Sequence, residues 1–141
     1  IVQVDSKKRL LQEISEIITI YNPDFIPGLA FDALMSRESL GATGVGNGVA
    51  LPHARLKGLD SVAGAFFKLE KPMDFSSVDR KPVDLIFALF APEGAGVEHL
   101  KALALVSRTL RDPSVCSKLR ANSNATTMYT ILTENMSYQA A

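Results

Sequence analysis

The chain has 141 residues, with 15 Lys+Arg matched by 15 Asp+Glu, two histidines and one cysteine. At 47% hydrophobic and 21% charged residues the composition is globular, and the length suits one domain, 1–141, that buries a sizeable core. Zero net charge argues against a nucleic-acid binder driven by phosphate neutralisation, and a lone cysteine excludes an internal disulfide and a four-cysteine zinc site.

In chain order, Ser6 is a good helix N-cap. Leu10, Leu11, Ile14, Ile17 and Ile18 follow it with the 3.6-residue period of an amphipathic helix. Asn22-Pro23 ends that helix and starts the next, whose apolar stripe runs from about Pro27 to Arg37 through Leu29, Ala30, Ala33 and Leu34. Gly41 to Gly48 carries four glycines in eight residues, which predicts a loop with unusual backbone dihedrals. Val49-Ala50-Leu51 reads as a short strand closed by Pro52-His53. Ser61 to Leu69 is a second strand, and Pro72 to Lys81 a polar connection with a turn near Val78-Asp79-Arg80. Val83 to Ala91 is almost uninterrupted apolar sequence, as expected of a central strand buried on both faces.

After the Pro92–Gly96 loop the chain turns helical. Leu100, Leu103, Val106 and Leu110 form one stripe, Asp112-Pro113 caps a short helix carrying Val115 and Leu119, and Asn124 opens a last helix through Met128, Ile131 and Leu132. Two helices, several strands and three helices predict an α/β sandwich with a mixed sheet flanked by helices. The longest apolar run, Leu85 to Ala91, spans seven residues, well short of the roughly 20 that a membrane helix needs, so no membrane insertion is expected. The chain has no initiator methionine and no signal-peptide pattern, so it reads as a trimmed, cytoplasmic protein.

The histidines carry the chemical signal. His53 ends an apolar strand, at the kind of sheet rim where sites gather in α/β folds. His99 falls in the first turn of a helix, where the dipole disfavours imidazolium and favours a nearby anion. The competing explanations are structural: a partly exposed strand-end His53, a capping-turn His99, a tight turn for the glycine loop and a core position for Cys116. The glycine spacing fits neither a Walker A loop nor a dinucleotide fingerprint. No G-x-S-x-G elbow occurs, and two histidines with a distant cysteine give a zinc site little support. From the residues alone the reading is an α/β domain with a candidate anion site around His53 and His99.

The segment Arg37 to His53 (RESLGATGVGNGVALPH) closely resembles the active-site signature of the enzyme IIA domains of the bacterial phosphotransferase system, fructose/mannitol type. Pro82 to Pro92 and Glu98 to Ala104 resemble the same family, and the likeness runs from about Ser6 to Glu134. Within it the wording is most similar to the nitrogen-regulatory branch. The resemblance implies the mannitol-type enzyme IIA fold and an N-terminally truncated chain that lacks an edge strand. It implies that His53 is the phosphorylated nucleophile, through Nε2 as in relatives, that His99 hydrogen-bonds the phosphoryl group, and that Arg37 offsets its charge. Thr43 and Asn47 fall inside the motif as secondary, orienting residues, and Val45 and Val49 are candidates for an apolar rim.

The donor implied is an HPr-like phosphocarrier, and the phosphorylation state of His53 is expected to regulate target proteins, with no cofactor and no metal. The alternative in the same chemistry is a sugar-specific enzyme IIA that passes phosphate to a IIB domain. An alternative of another class is a non-catalytic binding module, against which the intact Arg37, His53 and His99 speak.

Overall fold

A computed structural model of the chain describes residues 3–4, 6–22, 25 and 28–140, with side chains as far as Ser137. The order is α1 (Lys7–Tyr21), α2 (Leu29–Leu40), β1 (Gly44–Gly46), β2 (Val49–Ala50), β3 (His53–Leu56), β4 (Ala63–Met73), β5 (Val83–Pro92), α3 (Val97–Arg111), α4 (Pro113–Ala121) and α5 (Ala125–Ala140). The breaks expected at Pro23 and Pro27 lie outside the described residues. Ser6 caps α1 by accepting from the Arg9 N–H, and Asn22 closes it. The second helix runs three residues past the expected end, so Arg37 lies in its last turn.

The sheet is mixed, with β5 at its centre. β4 pairs antiparallel with one edge of β5, while β2 and β3 both run parallel to it. Val49 faces Leu85 and His53 faces Leu89, the same offset, and the Leu89 N–H donates to the Pro52 carbonyl between them. β2 and β3 are therefore one line of chain along β5. His53 continues that strand rather than ending it; Pro52 only removes a ladder donor at the join.

Alternation along β5 sorts the core. Val83, Ile86, Ala88 and Phe90 pack with α1 and α2, whereas Leu85, Phe87 and Leu89 pack with α3, α4 and α5. Helices thus cover both faces of the sheet, and the expected α/β sandwich is the one observed.

Three local expectations are corrected. The glycine stretch is a β-hairpin, β1 pairing antiparallel with β2. Asn47 and Gly48 form its turn with φ of 58° and 78°, the positive values that a two-residue hairpin turn requires and that Asn-Gly supplies cheaply. The second strand extends to Met73, with a register irregularity that accommodates Pro72, and Phe75, inside the expected polar connection, is fully buried in the α1/α2 core. The turn near Val78-Asp79-Arg80 is present, closed by the Arg80 N–H on the Ser77 carbonyl. On α3, Leu100 is exposed; the buried face is His99, Val106, Thr109 and Leu110. Cys116 is buried, its thiol donating to the Leu110 carbonyl.

Candidate active site

On β3, Ala54 and Leu56 point into the α1/α2 core, so strand alternation sends His53 and Arg55 to the opposite face. There α3 presents His99 from its first turn. The two imidazoles meet edge to face, with centroids 5.6 Å apart and an interplanar angle of 77°.

Both nitrogens of His53 are engaged. Nδ1 lies 2.8 Å from the Leu51 carbonyl, and a carbonyl can only accept, so Nδ1 carries the proton. Nε2 is then the lone-pair nitrogen, and it accepts from Nε–H of Arg37 at 3.2 Å. The same guanidinium donates from Nη1 to the Gly41 carbonyl at 2.8 Å, which ties it to the end of its own helix. The tautomer is set by backbone geometry, and the lone-pair nitrogen is the one facing the arginine.

The electrostatics favour the neutral form of both rings. Burial, then the Arg37 charge, pulls the His53 pKa below 6.5, against the Leu51 carbonyl and Glu38, which push it up. Burial lowers His99 as well, aided by His53 and Arg55. His99 is buried, and its Nδ1 has no hydrogen-bond partner among the described residues. A recess of about 440 Å³ opens over the pair, walled by Arg37 and Arg55 and rimmed by Leu40, Leu100 and Leu103. Two cations, two neutral imidazoles and an apolar rim suit a transferring oxyanion: the arginines offset its charge, and the rim limits water.

Of the residues singled out in the sequence, His53, His99 and Arg37 come together. Thr43 is one step removed: it is buried and its hydroxyl donates to Glu38. Asn47 points its bonds elsewhere, its N–H to Asp79 and its carbonyl to Arg120. Val45 and Val49 line a different recess with Ser107 and Arg111, so the apolar rim comes from Leu40, Leu100 and Leu103 instead. Arg55 was missed, although its position two residues after His53 on a strand is a readable signal. Glu38 was missed because nothing in its spacing reveals its partners. Among the described residues no group of three or more His, Cys, Asp or Glu could hold a metal ion, and no helix is long and apolar enough to cross a membrane.

Comparison with known proteins agrees with this architecture. Residues 1–135 match the family described as "Phosphoenolpyruvate-dependent sugar phosphotransferase system, EIIA 2". The chain is 47% identical over 133 residues to a nitrogen regulatory protein of Bradyrhizobium diazoefficiens, covering 92% of this chain and 84% of the relative. It superposes on the nitrogen regulatory protein IIA-Ntr of Neisseria meningitidis with a TM-score of 0.86 at 37% identity, covering 93% and 89% of the two chains. The mannitol enzyme IIA of Escherichia coli, solved as a complex with phosphorylated enzyme IIB, shares the fold with a TM-score of 0.74 at 17% identity, over 94% and 91%. Sequence and fold thus agree, and the chain belongs to the type 2 enzyme IIA family of the phosphotransferase system, with close similarity to the nitrogen-regulatory IIA-Ntr proteins.

Proposed function

We propose that the protein is a phosphoryl carrier in which His53 Nε2 accepts a phosphoryl group from the phosphohistidine of an HPr-like carrier, and that the resulting charge regulates target proteins. One observation carries this reading: Nδ1–H is held by the Leu51 carbonyl while Nε2 faces the Arg37 guanidinium inside the recess. The Nε2 lone pair forms the new N–P bond as the P–N bond to the donor imidazole breaks, and the donor leaves as a neutral ring with the bonding pair. The proton on Nδ1 stays in place, so the phosphorylated ring is an imidazolium whose bond to Leu51 becomes charge-assisted. Arg37, displaced from the lone pair, turns to the phosphoryl oxygens, and His99 and Arg55, which line the same recess, share them. Little covalent work falls to the protein; positioning and charge stabilisation do most of it.

The regulatory role draws on the relatives described as nitrogen regulatory proteins. A phosphoryl group adds up to two negative charges at an exposed apolar rim, enough to weaken or create a protein contact. The second reading, delivery to a IIB domain during sugar uptake, draws on the mannitol enzyme IIA complex. Incubation with phosphoenolpyruvate, enzyme I and HPr homologues, followed by intact-mass measurement, should add one phosphoryl group to the wild type and none to His53→Ala. Full phosphorylation of His53→Ala would reject the assignment, and rapid passage of the phosphate to IIB domains would select the second reading.

A further inference from the structure

The bonds around His53 close into a ring. Arg37 grips Nε2 and the Leu51 carbonyl grips Nδ1. The Leu51 N–H in turn donates to the Thr43 carbonyl at 2.9 Å, and the Thr43 hydroxyl donates to Glu38 Oε1. Glu38 is the residue after Arg37, so the path returns to its start. Its other oxygen meets Lys7 Nζ at 2.8 Å, and that ammonium also lies 4.6 Å from the centroid of the buried Phe75 ring.

Helix electrostatics oppose this pairing. Lys7 sits in the first turn of α1, at the positive end of its dipole, and Glu38 in the last turn of α2, at the negative end. The Glu38 side chain is only 6% exposed, so its charge is also largely desolvated. A pair with a buried carboxylate, set against both dipoles, is weak evidence for stability. What it does provide, together with the Thr43 hydroxyl bond to the same carboxylate, is a fixed link between the start of α1, the end of α2, which carries Arg37, and Thr43, whose carbonyl accepts from the Leu51 N–H.

We propose that Glu38 is a positioning residue for the reaction at His53: by holding Thr43 and Lys7 it sets Arg37 and the Leu51 carbonyl on the two imidazole nitrogens at once. The kinetic part rests on the phosphoryl-carrier reading; the state of the free ring does not. Two measurements on the full chain keep them apart. The first is the rate of phosphorylation by phosphorylated HPr homologue as a function of carrier concentration. The second is the 15N spectrum of the His53 ring in the unphosphorylated protein across pH. The charged or titratable groups facing that ring are Arg37 and Glu38 from α2, Arg55 from its own strand β3 and His99 from α3.

For Glu38→Gln and Thr43→Val we expect the maximal rate to fall by roughly tenfold to a hundredfold with little change in the carrier concentration at half-maximal rate. The His53 ring should exchange between tautomers, and its pKa should fall further in Glu38→Gln, which removes a negative charge. Thr43→Ser, which keeps the hydroxyl, should restore both readouts. Wild-type rates together with wild-type ring spectra in Glu38→Gln and Thr43→Val would overturn the proposal, as would failure of Thr43→Ser to recover while folded. If Glu38→Gln does not fold, the two Thr43 variants decide alone. An unphosphorylated wild type would reject the carrier reading and leave the ring spectra to judge the positioning role.

Discussion

The His99 ring meets His53 edge to face, with centroids 5.6 Å apart, and each sits in surroundings that disfavour its charged form. Two imidazoles this close cannot both be cations without strong repulsion. Removing His99 should therefore slow phosphorylation without moving its site. We expect His99→Gln to accept phosphate on His53 at a rate reduced by roughly tenfold to a thousandfold, the range for loss of one hydrogen-bonding or charge-stabilising group. Intact mass against time reads it; an unchanged rate would place His99 outside the reaction.

Arg37 tests geometry apart from charge. Its guanidinium reaches His53 and the Gly41 carbonyl together, a fork that a lysine cannot reproduce. Arg37→Lys should lose most of the activity that Arg37→Ala loses, by more than about tenfold in maximal rate. Near-complete rescue by lysine would mean that positive charge alone is required.

The pH dependence of stability follows from the two histidines. Each has a folded pKa lowered from 6.5, so the unfolded chain binds more protons than the native one once pH falls below about 6.5. Stability should be flat above that value and should decline as pH drops through it towards the folded pKa values. Urea midpoints between pH 7.5 and 5 would show the decline, and His53→Gln should reduce its slope. A midpoint that rises on acidification over this interval would contradict the assignment of neutral rings.

Gly48 tests the hairpin. Its φ is +78°, and a Cβ there would come 2.4 Å from Nη2 of Arg120 and 2.9 Å from Oδ1 of Asp84, the two partners of a bidentate ion pair. Gly48→Ala should cost about 3 kcal/mol, from left-handed strain plus displacement of that pair. Gly28→Ala, with φ +88° and no atom of the described residues within 4 Å of its Cβ, should cost about 1–2 kcal/mol. Equal urea shifts would remove the contribution of the ion pair.

Phe75 tests the floor under Lys7. It is fully buried, and Phe75→Ala should destabilise by about 3–5 kcal/mol while freeing the ammonium that fixes Glu38. A shift below about 1 kcal/mol in a denaturant titration would mean that the core around it collapses easily.

The legible and illegible parts of the molecule divide along physical lines. Period-3.6 stripes place α1, α4 and α5 because one helical face meets one core. The Val83–Pro92 strand is legible because it is buried on both sides. Phe75 was hidden by its polar neighbours: one aromatic between Asp74 and Ser76 gives no period, and only the fold shows that it plugs the α1/α2 core. The Asn47-Gly48 turn was readable, but three other nearby glycines made the stretch look like a loop. At the site, His53 and His99 were legible from their places at a strand's end and in a helix's first turn, whereas Arg37 and the role of each residue came from motif likeness. Which imidazole nitrogen faces the arginine depends on the Leu51 carbonyl, and the role of Glu38 depends on Lys7, thirty-one positions before it. Contacts of that kind leave no trace in local spacing.

The unbroken line of β2 and β3 along the central strand constrains how a change at His53 could be transmitted. The backbone that bears His53 is hydrogen-bonded along the sheet's central strand, with helices packed on either side. It cannot swing to announce that the imidazole has been modified. If His53 carries the phosphoryl group as proposed, a partner would sense an electrostatic mark on a stationary plate, as a stamp is read on paper that does not bend. Discrimination between the two states should accordingly weaken as salt rises, while the backbone amide resonances of β5 barely move between them.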